Sequence, residues 1–176
     1  MSKFLDHLER KFGNWAIPGL IKYIAILFVG VFLLSSLRPN FVETLDFDYQ
    51  KIQAGEFWRI FTFILAPKAV GFSPMAAIFM VFATIFTFIF SDALEQTWGV
   101  FRTNLYIIWG FFSALVANFI FAIYFSANVP LSGTYLALSI MFAFATVNPR
   151  FTLLLFFIIP CQIWILAAII GALTLL

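Results

Sequence analysis

The chain has 176 residues, 64% of them hydrophobic, with 26 phenylalanines and only 10% charged side chains, against roughly 25% in a soluble domain. A water-soluble fold of this size cannot hide that much apolar surface, so composition points to an all-α polytopic membrane protein. The net charge of +2 comes from scattered basic residues, which excludes the basic patch that nucleic acid requires.

Residues 2–13 read as a short amphipathic helix. Phe4, Leu5, Leu8 and Phe12 recur on one face, Ser2 offers a cap and Gly13 a stop. Residues 1–14 are therefore expected to lie on the membrane as an interfacial segment, with 15–176 forming the transmembrane domain. The mixed charges Lys3, Asp6, Glu9, Arg10 and Lys11 do not fit a signal peptide, and the apolar run after them is too long for an h-region. His7, the only histidine, sits among these charges and reads as a solvated side chain.

The first span is expected over residues 18–37, with Pro18 in its first turn and Lys22 snorkelling to the headgroups; Arg38-Pro39-Asn40 ends it. The connection that follows, residues 40–73, is too long to be structureless, and 46–54 reads as turn-like or briefly helical. Residues 55–65 are the one stretch expected to be amphipathic within a loop. Phe57, Trp58, Ile60, Phe61, Ile64 and Leu65 form its apolar face, Arg59 and Thr62 lean away, and its length is too short to span.

After the breakers Pro67 and Gly71, a second span is expected from Ser73-Pro74 to Phe90, with Asp92 and Glu95 at its exit. The third covers 105–124 and carries Asn118. The turn Asn128-Val129-Pro130 leads to a fourth, from Ser132 or Gly133 to Val147, rich in the small residues that let helices approach closely. Asn148-Pro149-Arg150 ends it. The last apolar run, 151–176, is long enough for one complete helix kinked at Pro160. Asn118 and Gln162 read as helix–helix hydrogen bonds. Cys161, alone in its apolar run, reads as a small buried hydrophobe, with no disulfide. No cofactor or metal is expected, since no histidine lies in an apolar segment. Five spans are thus expected.

Lys3, Arg10, Lys11, Lys22, Arg102 and Arg150 fall on the N-terminal side, and Arg38, Lys51, Arg59 and Lys68 on the other. The balance places the N-terminus in the cytoplasm. The apolar end Gly171-Ala172-Leu173-Thr174-Leu175-Leu176 lacks a charged anchor. The expectation is a chain that continues, or one that ends against another subunit.

Several segments in register resemble the rhomboid superfamily. Gly55-Glu56-Phe57-Trp58-Arg59-Ile60-Phe61-Thr62 is similar to the family's Trp-Arg segment in its first loop. Leu94-Glu95-Gln96-Thr97-Trp98-Gly99 with Phe101-Arg102 is similar to the end of its second helix. Leu131-Ser132-Gly133 sits where active members carry Gly-x-Ser-Gly, and Asn148-Pro149-Arg150 resembles the approach to the fifth helix. The resemblance implies a rhomboid-like helical bundle with an amphipathic first loop. It makes Ser132 the candidate nucleophile and Trp58, Arg59 and Glu95 the scaffold motif.

The family's serine needs a histidine on a sixth helix, absent here, and a histidine and an asparagine on the second helix. Counting back from Glu95 puts these last two at Phe79 and Ala83, which cannot donate to an oxyanion. A serine hydroxyl without a base is a poor nucleophile, and Tyr135 is a weak base at its ordinary pKa near 10. Ser132-Gly133 then reads as a helix cap followed by a packing residue. This pattern is closer to the derlins, inactive members that bind membrane proteins and thin the bilayer. The expected function is that of a pseudoprotease binding transmembrane clients and the surrounding bilayer. The alternatives are an active intramembrane serine protease using Ser132 with its histidine beyond residue 176, and a structural subunit of a larger oligomeric membrane complex.

Overall fold

The computed structural model describes residues 2–38, 40–66, 73–125, 133–155 and 159–175. The elements are α1 (Ser2–Phe12), a 3-10 turn (Gly13–Trp15), α2 (Leu20–Leu37), α3 (Phe41–Leu45), α4 (Tyr49–Gln53) and α5 (Arg59–Thr62). A second 3-10 turn (Phe63–Leu65) follows, then α6 (Pro74–Trp98), α7 (Val100–Phe125), α8 (Gly133–Val147), β1 (Thr152–Leu155), β2 (Ile159–Gln162) and α9 (Ile163–Leu175).

Among the described residues three helices, α2, α6 and α7, are long and apolar enough to cross a membrane. Their 18, 25 and 26 residues give lengths of about 27, 38 and 39 Å against a hydrocarbon core of roughly 30 Å. Only 22%, 17% and 17% of their apolar stretches are buried within the fold. The rest is apolar surface that lipid can satisfy and water cannot.

Local chemistry explains where these helices begin. Ser73 caps α6, its Oγ accepting from the Ala76 N–H at 3.1 Å, with Pro74 in the first turn. Gly19, at φ 73°, precedes α2 in a left-handed conformation that suits glycine, so α2 starts two residues after Pro18. The helix expected to stop at Phe90 continues to Trp98 because its polar last turns find partners. Asp92 pairs with Lys22 at 2.5 Å, and Glu95 accepts from Gly19. Gly99, at φ 85°, then turns the chain into α7.

The fourth expected span is present as α8, but its 15 residues cover only about 22 Å. It lies inside the protein: Leu136, Ile140, Met141, Ala143, Phe144 and Ala145 are all buried. Around it gather Ile21 of α2, Phe90 and Leu94 of α6, Ile107 of α7 and Ile163 of α9. Phe90 and Phe144 stack with ring centroids 4.4 Å apart.

The fifth expected span is not one helix. Residues 152–155 and 159–162 pair as an antiparallel hairpin, Thr152 opposite Gln162 and Leu155 opposite Ile159, and only Ile163–Leu175 is helical. Pro160, expected to kink a helix, lies within β2. Proline removes a helical hydrogen bond and crowds the preceding turn, whereas a two-stranded ribbon consists only of edges, which accept it. The ladder runs on into a bond from the Ile163 N–H to the Phe151 carbonyl, 2.9 Å.

A close backbone approach joins α8 to the first loop. A Cβ placed on Gly133 would stand 1.7 Å from the Ile64 carbonyl oxygen, whereas one on Gly30 of α2 would meet nothing within 4 Å. Gly133→Val is expected to destabilise the protein by about 3 kcal/mol, as overpacking does. Gly30→Ala should stay within about 1 kcal/mol of the parent. Equilibrium unfolding in detergent measures both.

Candidate functional site

The first loop folds as a cap of three short helices. Asp48 starts α4 by accepting from the N–H groups of Gln50 (3.0 Å) and Lys51 (3.2 Å). The end of α3 sets a different problem: the last carbonyls of a helix have no partner within it. Side chains of the 58–62 segment supply those partners. Arg59 Nη1 donates to the Glu43 carbonyl at 2.7 Å and to that of Asp46 at 2.8 Å. Trp58 Nε1 donates to the Thr44 carbonyl at 3.2 Å, and Thr62 Oγ1 to that of Leu45 at 3.0 Å. Four successive carbonyls are thus satisfied by three side chains. The guanidinium also places positive charge where the α3 dipole is negative.

Arg59 is 2% exposed. Its Nε meets Glu56 Oε2 at 2.6 Å, so the charge is paired as well as hydrogen-bonded, as a buried charge must be. Arg59 and Thr62, expected to lean away from the apolar face, do so, and both turn to the α3 carbonyls. The polar groups turn inward, while Phe57, Trp58 and Phe61 are 64%, 51% and 68% exposed. Phe63, fully buried, holds the cap to α7: its ring lies 6.2 Å from Phe47 and 5.5 Å from Phe111, and Phe47 meets Phe119 edge-on at 5.2 Å. Nothing in the apolar periodicity of 55–65 distinguished Phe63 from its neighbours.

Below the cap, Ile64 and Gly133 line one end of a cleft of about 100 Å³ between α2, α6 and α8. Ala83, one of the two positions expected to correspond to oxyanion donors, opens into this cleft with Gly133. Phe79, the other, is exposed on α6. Ser132 lies outside the described residues, as does the turn at 128–130. The hydroxyls in the cleft are used within their own helix: Thr84 donates to the Met80 carbonyl at 2.8 Å and Thr87 to that of Ala83 at 2.7 Å. Tyr135 is exposed on α8, and His7 is exposed on α1. Among the described residues no group of three metal-ligating side chains converges.

Glu95 does not join this site. Its Oε1 accepts from the Gly19 N–H at 2.8 Å, at the N-terminal end of α2, about 27 Å along that helix from the loop. There it faces the positive end of the α2 dipole. Two expected hydrogen-bonding residues make at least one bond close in sequence. Asn118, 1% exposed, donates to the Ala114 carbonyl of its own helix at 3.1 Å, and Gln162 accepts from Trp164 Nε1 at 2.7 Å. No family model, curated protein or solved structure matches the chain.

Arg59→Leu leaves the Glu43 and Asp46 carbonyls unpaired, and an unsatisfied buried group costs about 1–3 kcal/mol. The expected loss is therefore about 3 kcal/mol, with faster tryptic cleavage at Lys51. Arg59→Lys should fall between, because an ammonium cannot reproduce the guanidinium fork. Glu95→Gln keeps an acceptor for Gly19 and should cost less than Glu95→Ala, by about 0.5 kcal/mol.

Proposed function

We propose that the chain is a rhomboid-like membrane protein that binds transmembrane clients and perturbs the bilayer around its loop cap, without peptidase chemistry. The observation that carries this reading is the cap itself. Buried Arg59 holds it rigid, and three exposed aromatic side chains, Phe57, Trp58 and Phe61, stand on its outer surface. Aromatic rings with a polar edge suit the boundary between headgroups and hydrocarbon. A rigid element presents them to a neighbouring helix at little entropic cost.

The lining of the cleft is in keeping with the same reading. The lone histidine, His7, lies on α1 at the other end of the bundle, and the cleft beside Gly133 is walled by side chains such as Ile21, Ala83 and Leu136, with no free donor among the described residues. Peptide hydrolysis needs a base for the nucleophile and donors for the oxyanion. In this reading the rhomboid-like bundle has its N-terminus in the cytoplasm, and the loop cap meets clients at the opposite face of the membrane.

Two measurements separate this from an active protease. A fluorophosphonate probe should leave Ser132 unlabelled, and Ser132→Ala should leave client binding unchanged; labelling there, or client cleavage lost in that variant, sinks the proposal. Trp58→Ala should weaken client photo-cross-linking by roughly tenfold, the equivalent of about 1.4 kcal/mol, while Arg102, far from the cap, tolerates Lys.

A further inference from the structure

A second cleft, of about 210 Å³, lies at the opposite end of the molecule, between the 12–20 segment and the start of α7. Phe12, Trp15, Ile17, Leu20, Leu105 and Ile108 line it. It takes no part in the loop cap. Three of its walls face outward: Phe12, Trp15 and Ile17 are 43%, 84% and 50% exposed. Within this apolar lining stands one polar side chain, Asn104, 5% exposed. Its Nδ2 donates to the Ile17 carbonyl at 3.1 Å, and its Oδ1 has no partner among the described residues.

The charge at the rim is set by the fold. In sequence, α1 is nearly balanced, with acids interleaved among bases. In the structure both acids are drawn to one cation of α7: Arg102 meets Asp6 at 2.7 Å and Glu9 at 3.4 Å. Arg10 and Lys11 remain exposed, with no carboxylate at ion-pair distance among the described residues. Lys11 Nζ sits 5.4 Å from the ring centroid of Phe12, which is itself a wall of the cleft. A cation thus stands beside an apolar slot.

We propose that this cleft is a phospholipid site that selects an anionic headgroup. One acyl chain lies on Ile17, Leu20, Leu105 and Ile108, and the phosphate meets Lys11 and Arg10. The order of residues matches the layering of a leaflet. The cations come first, Trp15 marks the interface where tryptophan concentrates, and the aliphatic side chains follow towards α2. Charge complementarity chooses the occupant. Every lipid carries a chain that fits the floor, but a net negative headgroup gains most from two cations whose own acids are engaged elsewhere.

The test uses the full chain in mild detergent with equal amounts of phosphatidylcholine and phosphatidylglycerol of identical acyl chains. Native mass spectrometry counts the lipids retained. The expected result is severalfold enrichment of phosphatidylglycerol. Lys11→Gln with Arg10→Gln should abolish the enrichment while leaving some lipid bound, and Ile108→Trp, which fills the floor, should remove the retained lipid. Thermal melting confirms that each variant is folded, and a misfolded Ile108→Trp is replaced by Leu105→Trp. Equal retention of the two lipids, or enrichment that survives the double charge variant, overturns the proposal. So does a photo-cross-linker at position 15 that captures a second copy or another protein instead of lipid. None of these readouts depends on Ser132 or Trp58.

Discussion

A single guanidinium organises the loop end of the molecule. Arg59 sits 2% exposed between the end of α3 and the carboxylate of Glu56, and its Nη1 bridges the Glu43 and Asp46 carbonyls. The constraint behind it is general: helix-terminal carbonyls cannot be left bare where water is scarce. Once Arg59, Trp58 and Thr62 supply the partners, the segment from 58 to 62 can face only one way. Phe63 must then enter the core against Phe47 and Phe111, while Phe57 and Phe61 must face outward. The Ile64 carbonyl comes to rest against Gly133, which sets where α8 begins. An arginine in the loop thereby helps to position the central helix of the bundle.

The other end is held by a separate set of polar contacts. Glu95 meets the N–H of Gly19, the residue before α2, Lys22 meets Asp92, Arg102 gathers Asp6 and Glu9, and Asn104 meets the Ile17 carbonyl. Together they tie α1, the start of α2, the end of α6 and the start of α7. Each exposed pair contributes little alone, but together they position four chain segments. Between the two ends the bundle relies on apolar packing around α8. Charge is kept where water or headgroups can reach it, as the cost of an ion in hydrocarbon demands. The two ends also differ in what they present: exposed aromatic rings on the cap at one, and at the other, beside an apolar slot, cations with no carboxylate at ion-pair distance among the described residues.

Much of this was legible along the chain. Ser73-Pro74 announced the start of α6, Arg38 the end of α2, and the small residues after Gly133 a tightly packed helix. These signals are local, since a cap needs only its own first turn. The misread features depend on distant partners. Glu95 was grouped with Trp58 and Arg59 by motif, yet its partner is Gly19, 76 residues away in sequence. Arg59 was legible as leaning away from the apolar face, but its partners there, carbonyls 13 and 16 residues away, are set by the fold. The run 151–175 is apolar enough for a helix, but periodicity alone does not separate a buried strand from a helix, and Pro160 favoured the ribbon.

The sequence by itself determined the medium and the broad class. Its hydrophobic fraction and the apolar stretches of α2, α6 and α7 demand hydrocarbon, and a hydrocarbon environment demands helices that satisfy their own backbone. Only the tertiary structure decided which way each polar group faces. Arg59 inward, Glu95 on α2, and Asp6 and Glu9 withdrawn from Arg10 and Lys11 are outcomes of long-range pairing. The physical reason is that burial in lipid depends on composition summed along a segment, whereas the orientation of a polar side chain depends on which carbonyl, amide or carboxylate the fold brings within 3 Å or so of it.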